Sequence, residues 1–177
     1  MLKIYTTLFL LISFNMSADI VKKIEVKGNE RVGDETIKVY GEISIGKDYS
    51  AFDIDKILKN LYKTNFFEDI KITLSNGILD IAVKEYPVIN TIDIKGEKSN
   101  DIKKKVLEKL QLQAKESFIE SKLSQDIKLM KKIYSSIGYN FANIEGKIEK
   151  FDNNRINLVY FLDKGKKTDI AKINFIG

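Results

Sequence analysis

A strand running into a glycine occurs three times in this chain, as Ile24-Glu25-Val26-Lys27-Gly28, Ile92-Asp93-Ile94-Lys95-Gly96 and Ile173-Asn174-Phe175-Ile176-Gly177. The glycines stand 68 and then 81 residues apart. A fixed junction returning at domain-sized intervals predicts tandem copies of one small fold. The expected division is one copy over residues 20–87, a second over 88–169, and the opening strand of a third over 170–177. A chain that stops inside a repeat reads as the front part of a longer protein.

Units of this size sit near the lower limit for a self-sufficient core, and 44% hydrophobic residues supply one modest core each. The chain has no Cys and no His, which excludes thiolate nucleophiles, His-centred triads and Cys/His zinc sites. Thirty basic residues against twenty-five acidic give a net charge of +5, a mild excess. Lysines alternate with Asp and Glu, and the single triplet Lys103-Lys104-Lys105 reads as a solvated helix face. With Arg31 and Arg155 the only arginines, no nucleic-acid surface is expected.

The amino terminus differs from the rest. Lys3 precedes an apolar stretch from Ile4 to Phe14, followed by the small or polar Asn15, Ser17 and Ala18. About eleven helical residues rise roughly 16 Å, too little for a hydrocarbon core of about 30 Å. Residues 1–18 therefore read as a signal peptide for export.

In the first copy a strand is expected from Ile20 to Lys27, with Ile20, Lys22, Ile24 and Val26 on one face. Gly33-Asp34 offers a start for a short helix through about Tyr40. Ser50-Ala51-Phe52-Asp53 resembles a capping box with Asp in place of Glu. Ile54, Ile57, Leu58, Leu61 and Tyr62 then form one apolar helix stripe. Ile70–Leu74, Ser75-Asn76-Gly77 and Ile78–Lys84 make a hairpin, because Asn-Gly tolerates the positive φ of a tight turn.

The second copy repeats the order. Val88–Lys95 is the strand. Asn100 or Asp101 caps a helix carrying Ile102, Val106, Leu107 and Leu110. Ser117-Phe118-Ile119-Glu120 is a fuller capping box ahead of Leu123, Ile127, Met130, Tyr134 and Ile137. Ile144–Lys150 and Ile156–Leu162 close it around Asp152-Asn153-Asn154. At a shift of 72, Leu61-Tyr62 with Phe66-Phe67 corresponds to Ile133-Tyr134 with Gly138-Tyr139. Gly138 suits a left-handed helix end, and Phe66 in its place implies a different backbone in the first copy.

The fold class is α+β: tandem two-layer units, each β-α-α-β-β, with a three-stranded mixed sheet and two helices on one face. The other sheet face stays open, and each sheet has edges whose backbone groups can template another strand. Asp53, Asp55, Asp101 and Glu120 all stand at or near helix starts, where capping accounts for them. Gly41 and Gly46 are isolated and form no phosphate loop. A binding module is expected, with no cofactor and no catalytic or metal site.

The junction from Val83-Lys84-Glu85-Tyr86-Pro87-Val88 through Ile94-Lys95-Gly96-Glu97-Lys98 resembles the link between consecutive POTRA (polypeptide-transport-associated) domains of the outer-membrane β-barrel assembly family. Ile24 to Val32 resembles the start of such a domain, and Tyr62–Phe67 and Ile133–Ala142 resemble its helix-to-strand turn. The resemblance implies a periplasmic scaffold that receives unfolded outer-membrane proteins and docks accessory lipoproteins, partly by β-augmentation. It also implies an outer-membrane barrel farther along the chain. The usual augmentation edge of this fold is the first hairpin strand, here Lys71, Ile72 and Thr73 in one copy and Gly146, Lys147 and Ile148 in the other. Gly146 within that strand suggests a bulge or a close backbone approach. The POTRA arm of a two-partner secretion or translocation transporter, or of a cell-division protein, stays open as an alternative.

Overall fold

A computed structural model describes residues 20–168. The leader expected over 1–18 and the third-copy strand expected over 170–177 lie outside the described residues.

The first unit runs β1 (Lys23–Lys27), α1 (Asp34–Gly41), α2 (Ala51–Lys63), β2 (Phe67–Ser75) and β3 (Ile78–Glu85). The second runs β4 (Val88–Lys95), α3 (Asn100–Leu107), α4 (Glu120–Ser136), β5 (Asn143–Phe151) and β6 (Arg155–Asp163). Each sheet has three strands, in order β1-β3-β2 and β4-β6-β5. The last strand is central, parallel to the first and antiparallel to its hairpin partner. Its alternation explains its place: Leu79 and Ile81 of β3, and Ile156, Leu158 and Tyr160 of β6, are almost fully buried towards the helices. Against them pack Ile57 and Leu61 of α2, and Met130 and Tyr134 of α4. Each such side chain contributes about 1.5–3 kcal/mol by leaving water.

The recurring glycine has a steric cause. Gly28 (φ 82°) ends β1 beside β3, and a β-carbon there would lie 2.1 Å from the Val83 carbonyl oxygen. Gly96 (φ 98°) ends β4 in the same way, 1.9 Å from the Leu162 oxygen. Backbone crowding and a left-handed turn together exclude every other residue.

Several local expectations are corrected. The first strand is shorter than Ile20–Lys27, and Val21, not Ile20, enters the core. The amides of Lys22 and Lys23 both donate to the Gly77 carbonyl, and this two-against-one pairing flips the side-chain parity. Ser50 and Asp53 do form the reciprocal capping box. Ser117 does not cap α4: it bridges Val88 at the sheet edge, and the Phe118 amide donates to Pro87. Phe118 is buried there, which keeps the chain extended until Ile119, and α4 starts without a side-chain cap. Ser99, rather than Asn100 or Asp101, caps α3 through the Ile102 amide. Leu110 is buried but lies beyond the helix.

The copies also align at a shift of 73 rather than 72. Ile57 then matches Met130 and Leu61 matches Tyr134, all buried. Asn65 (φ 57°) matches Gly138 (φ 96°). Both helices thus leave through a left-handed residue, and Asn65 does in the first unit what Gly138 does in the second.

Candidate strand-docking edges

Both parallel edges are partly sealed by the chain itself. The segment before α2 bridges Ile20 through Asp48, and the segment before α4 bridges Val88 through Ser117. Backbone bonds extend each contact, Gly46 and Lys47 to Val21, and Lys115 and Glu116 to Ile89. β2 and β5 carry no such backbone partner among the described residues, so they are the open edges.

The hairpin turns decide which backbone groups face outwards. Asn76-Gly77 makes Ser75 and Ile78 the closing pair, so Thr73 and Lys71 bond to β3 while Leu74, Ile72 and Ile70 turn their amides and carbonyls away. From the closing pair Phe151 and Arg155, Glu149, Lys147 and Glu145 face β6, and Ile148 and Gly146 face outwards. Of the six sequence candidates, Ile72, Gly146 and Ile148 therefore present backbone groups at an edge. Lys71, Thr73 and Lys147 offer only side chains, on the helix-free face. Gly146 sits in unbroken register with Tyr160, so there is no bulge. What approaches it is a side chain: a β-carbon at Gly146 would lie 2.7 Å from Leu123 Cδ1.

The helix-free faces differ between units. The first is laced with ion pairs, Lys27 to Glu25 and Asp80, and Lys84 to Glu68. The second is amphipathic: Phe161 lies between Lys95 and Lys147, whose ammonium groups stand 5.4 and 4.9 Å from the ring.

Three buried carboxylates, unanticipated from sequence, hold the loops beside these sheets. Glu85 Oε1 accepts from the amides of Glu30, Arg31 and Val32 at 2.8–3.0 Å. Asp126 accepts from the Gln111 and Leu112 amides and from the Tyr160 hydroxyl. Glu97 accepts from the Ser99 amide, the Tyr134 hydroxyl and Lys164. Burial pushes the Glu97 carboxyl upwards, but these three partners outweigh it and hold it below the usual carboxylate range. Burial and Asp126 raise the Tyr160 phenol, and burial and Glu97 raise that of Tyr134.

A depressed folded value stabilises the protein above the ordinary carboxylate range, and that contribution vanishes as pH falls through the lowered value. The urea midpoint is expected to drop with acid in that window. Glu97→Gln should be less stable at neutral pH and show a smaller drop, which denaturation at several pH values checks.

Two copies of a β-α-α-β-β unit, each with a mixed three-stranded sheet and both helices on one face, have the fold of POTRA domains. Residues 87–165 match that family, described as POTRA, surface antigen variable number repeat. The second unit thus carries the POTRA family match, and the first unit repeats its element order and sheet topology. The chain is 31% identical over 159 residues to the outer membrane protein assembly factor BamA of Neisseria meningitidis serogroup B, covering 89% of this chain and 20% of that protein. A protein of the same name from Neorickettsia risticii is 24% identical over 161 residues, covering 90% and 22%. The chain thus spans about a fifth of the length of these relatives. The N-terminal domain of Omp85 from Thermosynechococcus elongatus shares the fold at TM-score 0.50 and 16% identity, over 80% of this chain and 61% of that one. Among the described residues no helix is long and apolar enough to cross a membrane, and no acidic cluster could hold a metal ion.

Proposed function

We propose that this chain forms part of the periplasmic scaffold of an outer-membrane β-barrel assembly factor, which binds unfolded outer-membrane proteins by edge-strand addition. The similarity to BamA along nearly the whole chain supports the cellular role, and the open antiparallel edges β2 and β5 carry the mechanism. A strand added to such an edge gains main-chain hydrogen bonds whatever its sequence, which suits a receptor of many clients. Transmembrane β-strands alternate apolar and polar residues. Laid along β5, one row would lie beside half-exposed Ile148, the other beside Glu145, Lys147 and Glu149. Docking of accessory lipoproteins belongs to the same proposal, through the same open edges or the helix-free faces.

Proline is tolerated at an edge position whose amide faces solvent, yet removes the donor that an incoming strand needs. Ile148→Pro is therefore expected to keep the circular dichroism spectrum and to weaken capture of an unfolded outer-membrane barrel polypeptide several-fold. Undiminished capture by the folded variant would count against edge addition at β5.

A further inference from the structure

The two open edges are not equally open. In the first unit the outward amide of Ile70 donates to the Tyr62 hydroxyl at 3.1 Å. Tyr62 stands near the end of α2, so its ring reaches over the edge of β2 and its oxygen takes the place of an incoming strand's carbonyl. In the second unit the residue aligned with Tyr62 at the shift of 73 is Ser135. Its hydroxyl bonds Asn140 instead, and it is too short to reach the sheet. Among the described residues no side chain hydrogen-bonds the backbone of β5 from Ile144 to Ile148.

From this difference we infer that β5 of the second unit is the primary strand acceptor, and that Tyr62 is a specificity-determining latch on β2. The inference rests on the edge-addition reading and assigns that function unequally to the two repeats. The ligand is an extended polypeptide whose carbonyls and amides pair with those of Gly146 and Ile148. A strand joining β2 must either displace the Tyr62 hydroxyl or leave Ile70 unpaired and pair only with Ile72 and Leu74. One hydrogen bond carries about a fivefold factor in affinity, which sets the size of the preference. Tyr62 is 42% exposed, so phenylalanine keeps the packing and loses only the latch.

The test is amide NMR of the whole chain, wild type and Tyr62→Phe, titrated with an acetylated synthetic peptide of alternating valine and threonine. In the wild type the peptide is expected to shift Gly146 and Ile148 while Ile70, Ile72 and Leu74 stay still or respond about fivefold more weakly. In Tyr62→Phe the Ile70 amide should exchange faster without peptide, and the β2 amides should respond at concentrations close to those for β5. Equal response of both edges in the wild type would overturn the latch while leaving edge addition standing. So would a variant whose β2 stays silent while β5 binds. Silence at both edges in both proteins would overturn the latch and the edge-addition reading together.

Discussion

Gly96→Ala is expected to destabilise the second unit by about 3 kcal/mol or more. Gly96 holds φ at 98°, where an L-residue is strained, and the new methyl would lie 1.9 Å from the Leu162 carbonyl oxygen. That oxygen belongs to the backbone of the central strand, so no rotamer change relieves the contact; β4 and β6 must part. A unit of this size commands about 0.05–0.15 kcal/mol per residue, so the loss removes a large share of its stability. Gly46→Ala is the control. Gly46 also has positive φ (83°), but nothing lies within 4 Å of its missing β-carbon, so only the conformational cost of about 1–2 kcal/mol applies. Urea unfolding of the two variants separates the contributions. Equal losses would mean that crowding against the third strand is not why the glycine recurs.

Asp126→Ala is expected to cost about 3–5 kcal/mol, again in the second unit. Asp126 is fully buried and accepts from Gln111 N at 2.8 Å, Leu112 N at 3.0 Å and the Tyr160 hydroxyl at 3.2 Å. Alanine takes the acceptor from three donors, of which the Leu112 amide and the Tyr160 hydroxyl are buried, and each buried orphan costs about 1–3 kcal/mol. Besides a lower unfolding midpoint, the Gln111 and Leu112 amides should lose protection from hydrogen exchange ahead of the sheet. A uniform loss of protection would show that Asp126 packs the core and does not anchor that loop.

The repeat, the order of elements and the helix stripes were legible because each follows from a period or a turn residue. The Ile57, Leu61, Met130 and Tyr134 stripes face the sheets as their spacing requires. The same periodicity carried a signal that composition masks. Asp126 stands four residues before Met130 and eight before Tyr134, on the core stripe, and Glu85 continues the Leu79, Ile81, Val83 parity of β3. A charged residue at a core phase implies buried donors opposite it, yet the donors lie in distant loops that no local pattern names. The expected box at Ser117 failed for a related reason: burying Phe118 along the β4 edge outweighs a cap. At the candidate site, the two-residue turn Asn76-Gly77 already sets which β2 amides face outwards. The reach of Tyr62 over that edge depends on how α2 crosses the sheet, which sequence spacing does not encode.

An unfolded client is expected to join the sheet as an added strand at β5. Hydrogen exchange, resolved to single amides, tests it with the intact chain and an unfolded outer-membrane barrel polypeptide. Added polypeptide should protect the outward amides of Gly146 and Ile148 and leave those of Glu145 and Lys147, already bonded to β6, unchanged. Protection spread over the helices or the helix-free face, with the Gly146 and Ile148 amides unaffected, would contradict it.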